Sequence, residues 1–70
     1  MIINIFQGKL GNERFLKTIE TNRIPRKNEL ISIEEQVDYL ETYRVIDVLY
    51  EYTHVDNTIN LFVELYDWEI

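Results

Sequence analysis

Residues 58–68 read TINLFVELYDW, and this stretch gives the clearest indication of the fold. Aliphatic residues occupy alternate positions in it, namely Ile59, Leu61, Val63 and Leu65. A period of two is that of a β-strand with one face on a core. The opposite face, which carries Phe62, Tyr66 and Trp68, is expected to point outward. The stretch therefore predicts a long strand that is buried on one side.

Residues 43–53 precede this strand and are also apolar, but the apolar residues change parity midway. Tyr43 and Val45 share one parity, whereas Ile46, Val48, Tyr50 and Tyr52 share the other. A β-bulge near Val45–Ile46 would bring both groups to one face. Between the two strands, Val55-Asp56-Asn57-Thr58 predicts a hairpin connection, because Asp and Asn tolerate positive φ.

Two further strands are predicted nearer the N-terminus, at residues 2–7 and 14–21, with glycine and asparagine turn residues between them. Within residues 14–21, Phe15 and Ile19 are expected to face the core. The next segment contains Pro25, which fixes its own φ and favours an extended preceding residue. This segment is therefore interpreted as a crossing loop rather than a tight hairpin.

Residues 29–42 allow more than one interpretation. A strand at residues 29–34 would place Ile31 and Ile33 on one face. Alternatively, Leu30, Ile33, Val37 and Leu40 recur at helical spacing after a possible Asn28 cap, which would make the fold α+β. A third option ends the strand near Glu34 and leaves residues 36–42 as a loop or one helical turn. The strand is favoured, because the chain lacks alanine and is rich in Ile, Val, Thr and Tyr.

The composition fits one small domain that comprises residues 1–70. A hydrophobic content of 46% is enough for a core and excludes a disordered acidic tail. Five short strands in this length predict a mostly antiparallel all-β fold, either an SH3-like barrel or a strongly bent sheet. The predicted core consists of Ile3, Ile5, Phe15, Ile19, Ile31, Ile33, Val45, Val48, Ile59, Leu61, Val63 and Leu65.

Two segments, IPRKNELISI at residues 24–33 and YRVIDVLY at residues 43–50, carry a resemblance. They resemble short, uncharacterised bacterial and phage proteins of SH3-like barrel type that belong to mobile elements. In that class a glycine often follows the basic residue, where this chain has Asn28. The resemblance implies a proline turn into one strand, then a long central strand. It implies a mobile-element origin and no enzymatic activity.

Few residues are available for chemistry. The chain has no cysteine, which excludes disulfides and thiolate zinc sites, and it has one histidine, His54. His54 is interpreted as a hydrogen-bonded residue at a strand end. No catalytic residue, metal site or cofactor is predicted, and the chain is expected not to be an enzyme. It shows no signal peptide or apolar membrane-spanning stretch, so a cytoplasmic location and no membrane partner are expected.

Charge is distributed unevenly along the chain. Residues 1–27 hold six basic and two acidic residues, for +4, and residues 28–70 hold one basic and eleven acidic residues, for −10, which together give −6. A basic loop of Arg23, Arg26 and Lys27 is a possible nucleic-acid site. The acidic part instead suggests a nucleic-acid mimic that inhibits a DNA- or RNA-binding protein.

A protein-binding or structural role is the preferred interpretation. The outward aromatic residues Phe62, Tyr66 and Trp68, rimmed by Glu64 and Asp67, have the composition of a protein interface. Opposite charges in the two parts of the chain would also suit self-association into a homo-oligomer. A protein partner is therefore favoured over nucleic acid.

Overall fold

The computed structural model describes residues 1–68, which form one five-stranded sheet. The strands are β1 (Ile2–Gln7), β2 (Arg14–Glu20), β3 (Leu30–Gln36), β4 (Tyr39–Tyr52) and β5 (Asn57–Leu65). No helix occurs among residues 1–68. The α+β alternative for residues 29–42 is therefore wrong.

The sheet has the strand order β2-β1-β5-β4-β3. Neighbouring strands are antiparallel except for β1 and β5, which are parallel. The sheet curls into a half-barrel, consistent with a small SH3-like barrel. This confirms the predicted all-β, mostly antiparallel fold. The two edge strands, β2 and β3, face each other across a gap, and no Cα atom of β2 lies within 8 Å of a Cα atom of β3.

Residues 30–52 form a hairpin whose turn lies at Val37 and Asp38, with Asp38 at φ 65°. The shorter strand and loop expected for residues 36–42 are also wrong, because β4 already begins at Tyr39. Of the four residues at helical spacing, Leu30, Val37 and Leu40 are exposed, Val37 by 88%. A helix in this segment would therefore have no apolar face against the core. Pairing of Ile31 with Tyr43 across the hairpin prevails instead.

The β-bulge predicted in the long central strand is confirmed. Val45 lies opposite Val63, but Asp47 lies opposite Phe62, so one extra residue is present in β4. Val45 is fully buried, and the extra residue after it changes which positions of β4 face inward. Val48, three residues after Val45, therefore packs against the same core.

The core lies on the concave side of the half-barrel. Its buried residues are Ile3, Ile5, Ile33, Tyr43, Val45, Leu61 and Val63, with Leu16, Ile19, Ile24, Ile31, Val48 and Ile59 packed against them. Two predicted core residues are exposed instead, Phe15 at 55% and Leu65 at 52%. A register shift places Lys17 opposite Ile5 but Phe15 opposite Phe6, which turns Phe15 outward. Leu65 is the last residue of β5 and lies at the end of the sheet.

A hairpin joins β4 to β5 as predicted, but its turn lies at residues 53–56 rather than 55–58, because Asn57 already begins β5. The turn is closed by a hydrogen bond from the Thr53 amide to the Asp56 carbonyl at 3.0 Å. The Thr53 hydroxyl also accepts the Asp56 amide at 3.0 Å. Positive φ does not occur in this turn; among non-glycine residues it occurs at Asn28 and Asp38. β5 ends at Leu65, so the strand predicted to reach residue 68 is three residues too long.

The crossing loop returns to the sheet at Asn28, which has φ 76°. Its amide donates to the Val45 carbonyl at 2.7 Å, and the next carbonyl, that of Glu29, accepts the Val45 amide at 2.9 Å. Residues other than asparagine, aspartate and glycine are strained in this left-handed region of backbone conformation. The local geometry thus favours the asparagine that stands here.

Replacing Asn28 with alanine is expected to destabilise the fold by about 1 kcal/mol, whereas Asn28→Gly should change stability by less than about 0.5 kcal/mol. The physical reason is that a Cβ without a polar side chain is penalised at positive φ. Urea denaturation of both variants measures the difference. Equal stability of the alanine and glycine variants would contradict the assignment of a constrained turn at Asn28.

Candidate protein-binding surface

A row of polar side chains crosses four strands on the convex face of the sheet. Thr18 donates to Asn4 at 2.8 Å, Asn4 donates to Asn60 at 3.3 Å, and Asn60 donates to Glu51 at 2.5 Å. This network explains how the buried Asn60, which lies on the face opposite the core, has its hydrogen bonds satisfied. Its groups are engaged with each other, which indicates a structural role.

An aromatic ladder runs beside this row. The rings of Phe6 and Phe62 stack with centroids 5.5 Å apart, and Phe15 meets Phe6 edge-on at 5.6 Å. Phe62 is only 3% exposed, so the expectation that it is an exposed outward residue is wrong. It does lie on the convex face, but Phe6 covers it, because the parallel register of β1 and β5 places the two opposite each other.

Tyr66 and Trp68 follow the end of β5 and form a separate aromatic pair. Their rings meet edge-on with centroids 4.7 Å apart. Tyr66 is held to the sheet by its amide, which donates to the Thr42 carbonyl at 3.0 Å. Trp68 is 64% exposed, and Asp67 between the two rings is also exposed. Two of the three predicted interface aromatics thus lie together near the surface, apart from the buried Phe62.

The remaining predicted rim residue, Glu64, is half-buried and engaged. Its carboxylate accepts hydrogen bonds from Arg44 Nε at 3.0 Å and from a terminal nitrogen of the same guanidinium at 2.8 Å. The ion pair joins β4 to β5 two residues before Tyr66. An exposed pair of this kind contributes little to stability, about 0–1 kcal/mol. Its main effect is to fix two charged groups beside the aromatic pair.

The basic loop is tied by a carboxylate. Arg23 pairs with Glu29 at 2.8 Å, and the Arg26 amide donates to the other Glu29 oxygen at 2.7 Å. The hydrogen bond from the Arg26 amide, together with the neighbouring guanidinium charges, lowers the pKa of Glu29. Arg26 and Lys27 are exposed, with no ion pair among the described residues. Within the basic loop, Glu29 thus offsets the charge of Arg23, whereas the side chains of Arg26 and Lys27 stay exposed.

Tyr43 of β4 is a buried core residue that lies opposite Ile31 of β3. The Tyr43 phenol, 2% exposed, donates a hydrogen bond to the Glu35 carboxylate of β3. Burial and the nearby Glu35 charge together raise the pKa of Tyr43 well above its usual range. The contact joins β3 to β4 and is a structural feature of the hairpin.

His54 lies in the exposed loop between β4 and β5. The loop's hydrogen bonds are made by Thr53 and Asp56, so the expected hydrogen-bonded histidine at a strand end is not observed. In residues 1–68, the side chains of His, Asp and Glu form no group of three that could hold a metal ion. The same residues contain no helix that is long and apolar enough to cross a membrane.

Comparisons with known proteins give one partial similarity. The chain is 44% identical over 48 residues to the ribosomal protein uS12 methylthiotransferase RimO of Haemophilus ducreyi. The match covers 69% of this chain but spans only 11% of the length of that enzyme. No protein-family model matches the chain, and no solved structure matches it.

Proposed function

We propose that this chain is a non-enzymatic protein-interaction module whose partner-binding surface is centred on Tyr66 and Trp68. The observation that carries the proposal is the large exposed area of Trp68 next to a second aromatic ring. Tyrosine and tryptophan bury much apolar area at an interface while keeping a polar group for hydrogen bonding. The proposal includes a mobile-element origin and a cytoplasmic location.

The charged residues around the pair support a protein partner. Asp67 is exposed, and Glu64 forms an ion pair with Arg44. A polar rim around an aromatic centre is the usual arrangement of a protein interface. The partner surface is expected to offer an apolar pocket for Trp68 with a basic group near Asp67.

The partial similarity to RimO does not extend to its reaction. It spans about a tenth of that enzyme, and the activity that the enzyme is named for belongs to the whole protein. Transfer chemistry on ribosomal protein uS12 is therefore no part of the proposal. The similarity is compatible with a small β module that also occurs as part of a larger protein.

A nucleic-acid mimic is the second candidate, and one observation favours it. Glu20 and Asp47 face outward from β2 and β4, and both are exposed. Carboxylates displayed on a convex face can occupy the phosphate sites of a nucleic-acid-binding protein. In that case the captured partner would be such a protein, and DNA or RNA would compete for it.

The test is affinity capture from a lysate of the source cells, with wild type and Trp68→Ala as bait. Wild type is expected to retain a stoichiometric protein that survives nuclease treatment, and Trp68→Ala should lose most of it, by about tenfold or more, because hot-spot aromatics dominate interface energy. Mass spectrometry of the captured proteins provides the readout.

The matched control is Tyr52→Ala, which removes another exposed aromatic from a different end of the sheet. Capture that survives Trp68→Ala unchanged would refute the proposed surface. Capture that disappears with nuclease would refute a protein partner and assign the basic loop of Arg23, Arg26 and Lys27 as a nucleic-acid site.

A further inference from the structure

The second half of β4 has an unpaired edge. β3 pairs with β4 only as far as Arg44, and the loop before β3 adds backbone hydrogen bonds to Val45. Beyond the bulge, alternate residues of β4 direct their backbone groups to β5, as Thr53 does in the hairpin turn, and the residues between them direct theirs away. The amides and carbonyls of Val48 and Tyr50 therefore face away from β5, and no backbone hydrogen bond reaches them on that side among residues 1–68.

A cleft of about 410 Å³ lies between this part of β4 and the basic loop. It is lined by residues 23–27 of the loop and by Val48 and Tyr50 of β4. The loop is fixed at both ends by backbone hydrogen bonds, at Thr21 and at Asn28. The cleft therefore has the size of a small-ligand site and a lining that is held in place.

The charged residues that line the cleft are all basic, namely Arg23, Arg26 and Lys27. Glu29 pairs with Arg23, whereas Arg26 and Lys27 have no ion pair among residues 1–68. Two cations at one wall of a cleft attract an anionic group. The net charge of −6 acts from farther away, and salt screens charges beyond about 8–10 Å.

The acidic residues nearest in the fold lie outside this cleft. Asp47 and Glu51 of β4 are on the convex face of the sheet. Glu20 and Asp56 line a neighbouring cleft that also contacts Tyr50. An anionic group is therefore expected at the basic loop and not on the side of that neighbouring cleft.

Tyr50 supplies an aromatic ring to the same cleft. It lies opposite Ile59 on the side of the core, yet it is 47% exposed. Its ring forms no pair with another aromatic ring among residues 1–68. An exposed ring beside free cations is the combination that binds a nucleobase and its phosphate. The unpaired backbone groups of Val48 and Tyr50 are available to hydrogen-bond the edge of the base.

We propose that this cleft binds a nucleotide, either free or as a unit of single-stranded nucleic acid. The base stacks on Tyr50, and the phosphate lies at Arg26 and Lys27. An acidic peptide fits less well, because an extended chain on this edge of β4 would place every second side chain beside Asp47 and the other convex-face carboxylate. The site is separate from the partner-binding surface at Trp68.

The probe is a fluorescein-labelled strand of deoxythymidine about ten nucleotides long, and fluorescence anisotropy measures its binding. Arg26→Glu reverses a charge at the cleft and is expected to weaken binding by about tenfold or more. Lys9→Glu is the matched control, because it makes the same charge change at an exposed lysine of the β1–β2 loop. Log affinity should fall with log salt concentration with a slope of about −1.4, as expected for two phosphate contacts.

Tyr50→Ala tests the stacking and is also expected to weaken binding by about tenfold. Tyr50→Phe keeps the ring and should bind within about twofold of wild type. Trp68→Ala should bind as wild type does, so this result is independent of the proposed protein interface. Equal binding by the Arg26→Glu and Lys9→Glu variants, or loss of binding in Trp68→Ala, would overturn the proposal.

A second measurement uses wild type alone and separates the two sources of the nucleotide. Thymidine monophosphate added to the isotope-labelled protein should shift the amide signals of residues 23–27 and of Tyr50. Equal affinity for the monophosphate and the strand would identify a free nucleotide, and tighter binding of the strand would identify single-stranded nucleic acid. The proposal fails if inorganic phosphate gives the same affinity, if a duplex binds as well as the strand, or if a polyglutamate peptide competes equally.

Discussion

Replacing Phe62 with alanine is expected to destabilise the protein by about 3–5 kcal/mol, the usual cost of removing a buried phenylalanine. Phe62 is 3% exposed and stacks on Phe6, so its removal leaves a cavity between the strands of the parallel pair. A domain of this size commonly has only about 5 kcal/mol of stability. Circular dichroism and urea denaturation should therefore show a largely unfolded or marginal protein.

Trp68→Ala is the natural comparison, because both residues are aromatic and lie in the same stretch of sequence. Trp68 is mostly exposed, so its removal should change stability by less than about 1 kcal/mol. Phe15→Ala, at the exposed end of the ladder, should fall between the two. Equal losses for Phe62→Ala and Trp68→Ala would contradict the division into a buried ladder and an exposed pair.

The fold was largely predictable, because its main signals are local. The alternation of residues 58–68 identifies β5, and the parity change after Val45 identifies the bulge in β4 without any knowledge of the partner strand. The residues that a strand turns inward follow directly from such patterns. The same patterns correctly predict Val45, Leu61 and Val63 as core residues.

The errors arise where the structure depends on contacts between distant segments. Phe15 faces outward because β2 is bulged opposite Ile5 and Phe6, and its own sequence gives no parity signal for that bulge. Phe62 is covered because β1 pairs with β5 in parallel, 56 positions away in sequence. A sequence pattern specifies the face of a residue but not what covers that face.

The candidate site shows the same division. Tyr66 and Trp68 could be proposed from their residue types and parity, although their edge-on contact could not. The position of Tyr50 in the cleft beside the basic loop was out of reach, since the two are distant in sequence. The pairing of Arg23 with Glu29 was likewise hidden, because Asn28 at positive φ turns the loop back before Glu29.

Alkaline pH is expected to destabilise the protein strongly through Tyr43. Its pKa in the folded state is raised, by burial first and then by the Glu35 carboxylate, above the value of about 10 in an unfolded chain. The unfolded state therefore releases the proton first. The contribution of the neutral phenol to stability is complete below about pH 10 and is lost above it, by up to about 1.4 kcal/mol per pH unit.

Urea denaturation of wild type and Tyr43→Phe between neutral pH and the alkaline range measures this contribution. Lysines also titrate in the alkaline range, so the informative quantity is the difference between the two proteins. Wild type should lose stability faster than Tyr43→Phe above pH 10, and Tyr39→Phe, which alters an exposed tyrosine, should follow wild type closely. Glu35→Gln should weaken the alkaline loss, because it removes the charge that disfavours the phenolate. Parallel pH profiles for wild type and Tyr43→Phe would mean that the pKa of the Tyr43 phenol is the same in the folded state as in the unfolded chain. In that case the hydrogen bond from Tyr43 to Glu35 would not stabilise the neutral phenol in the folded state.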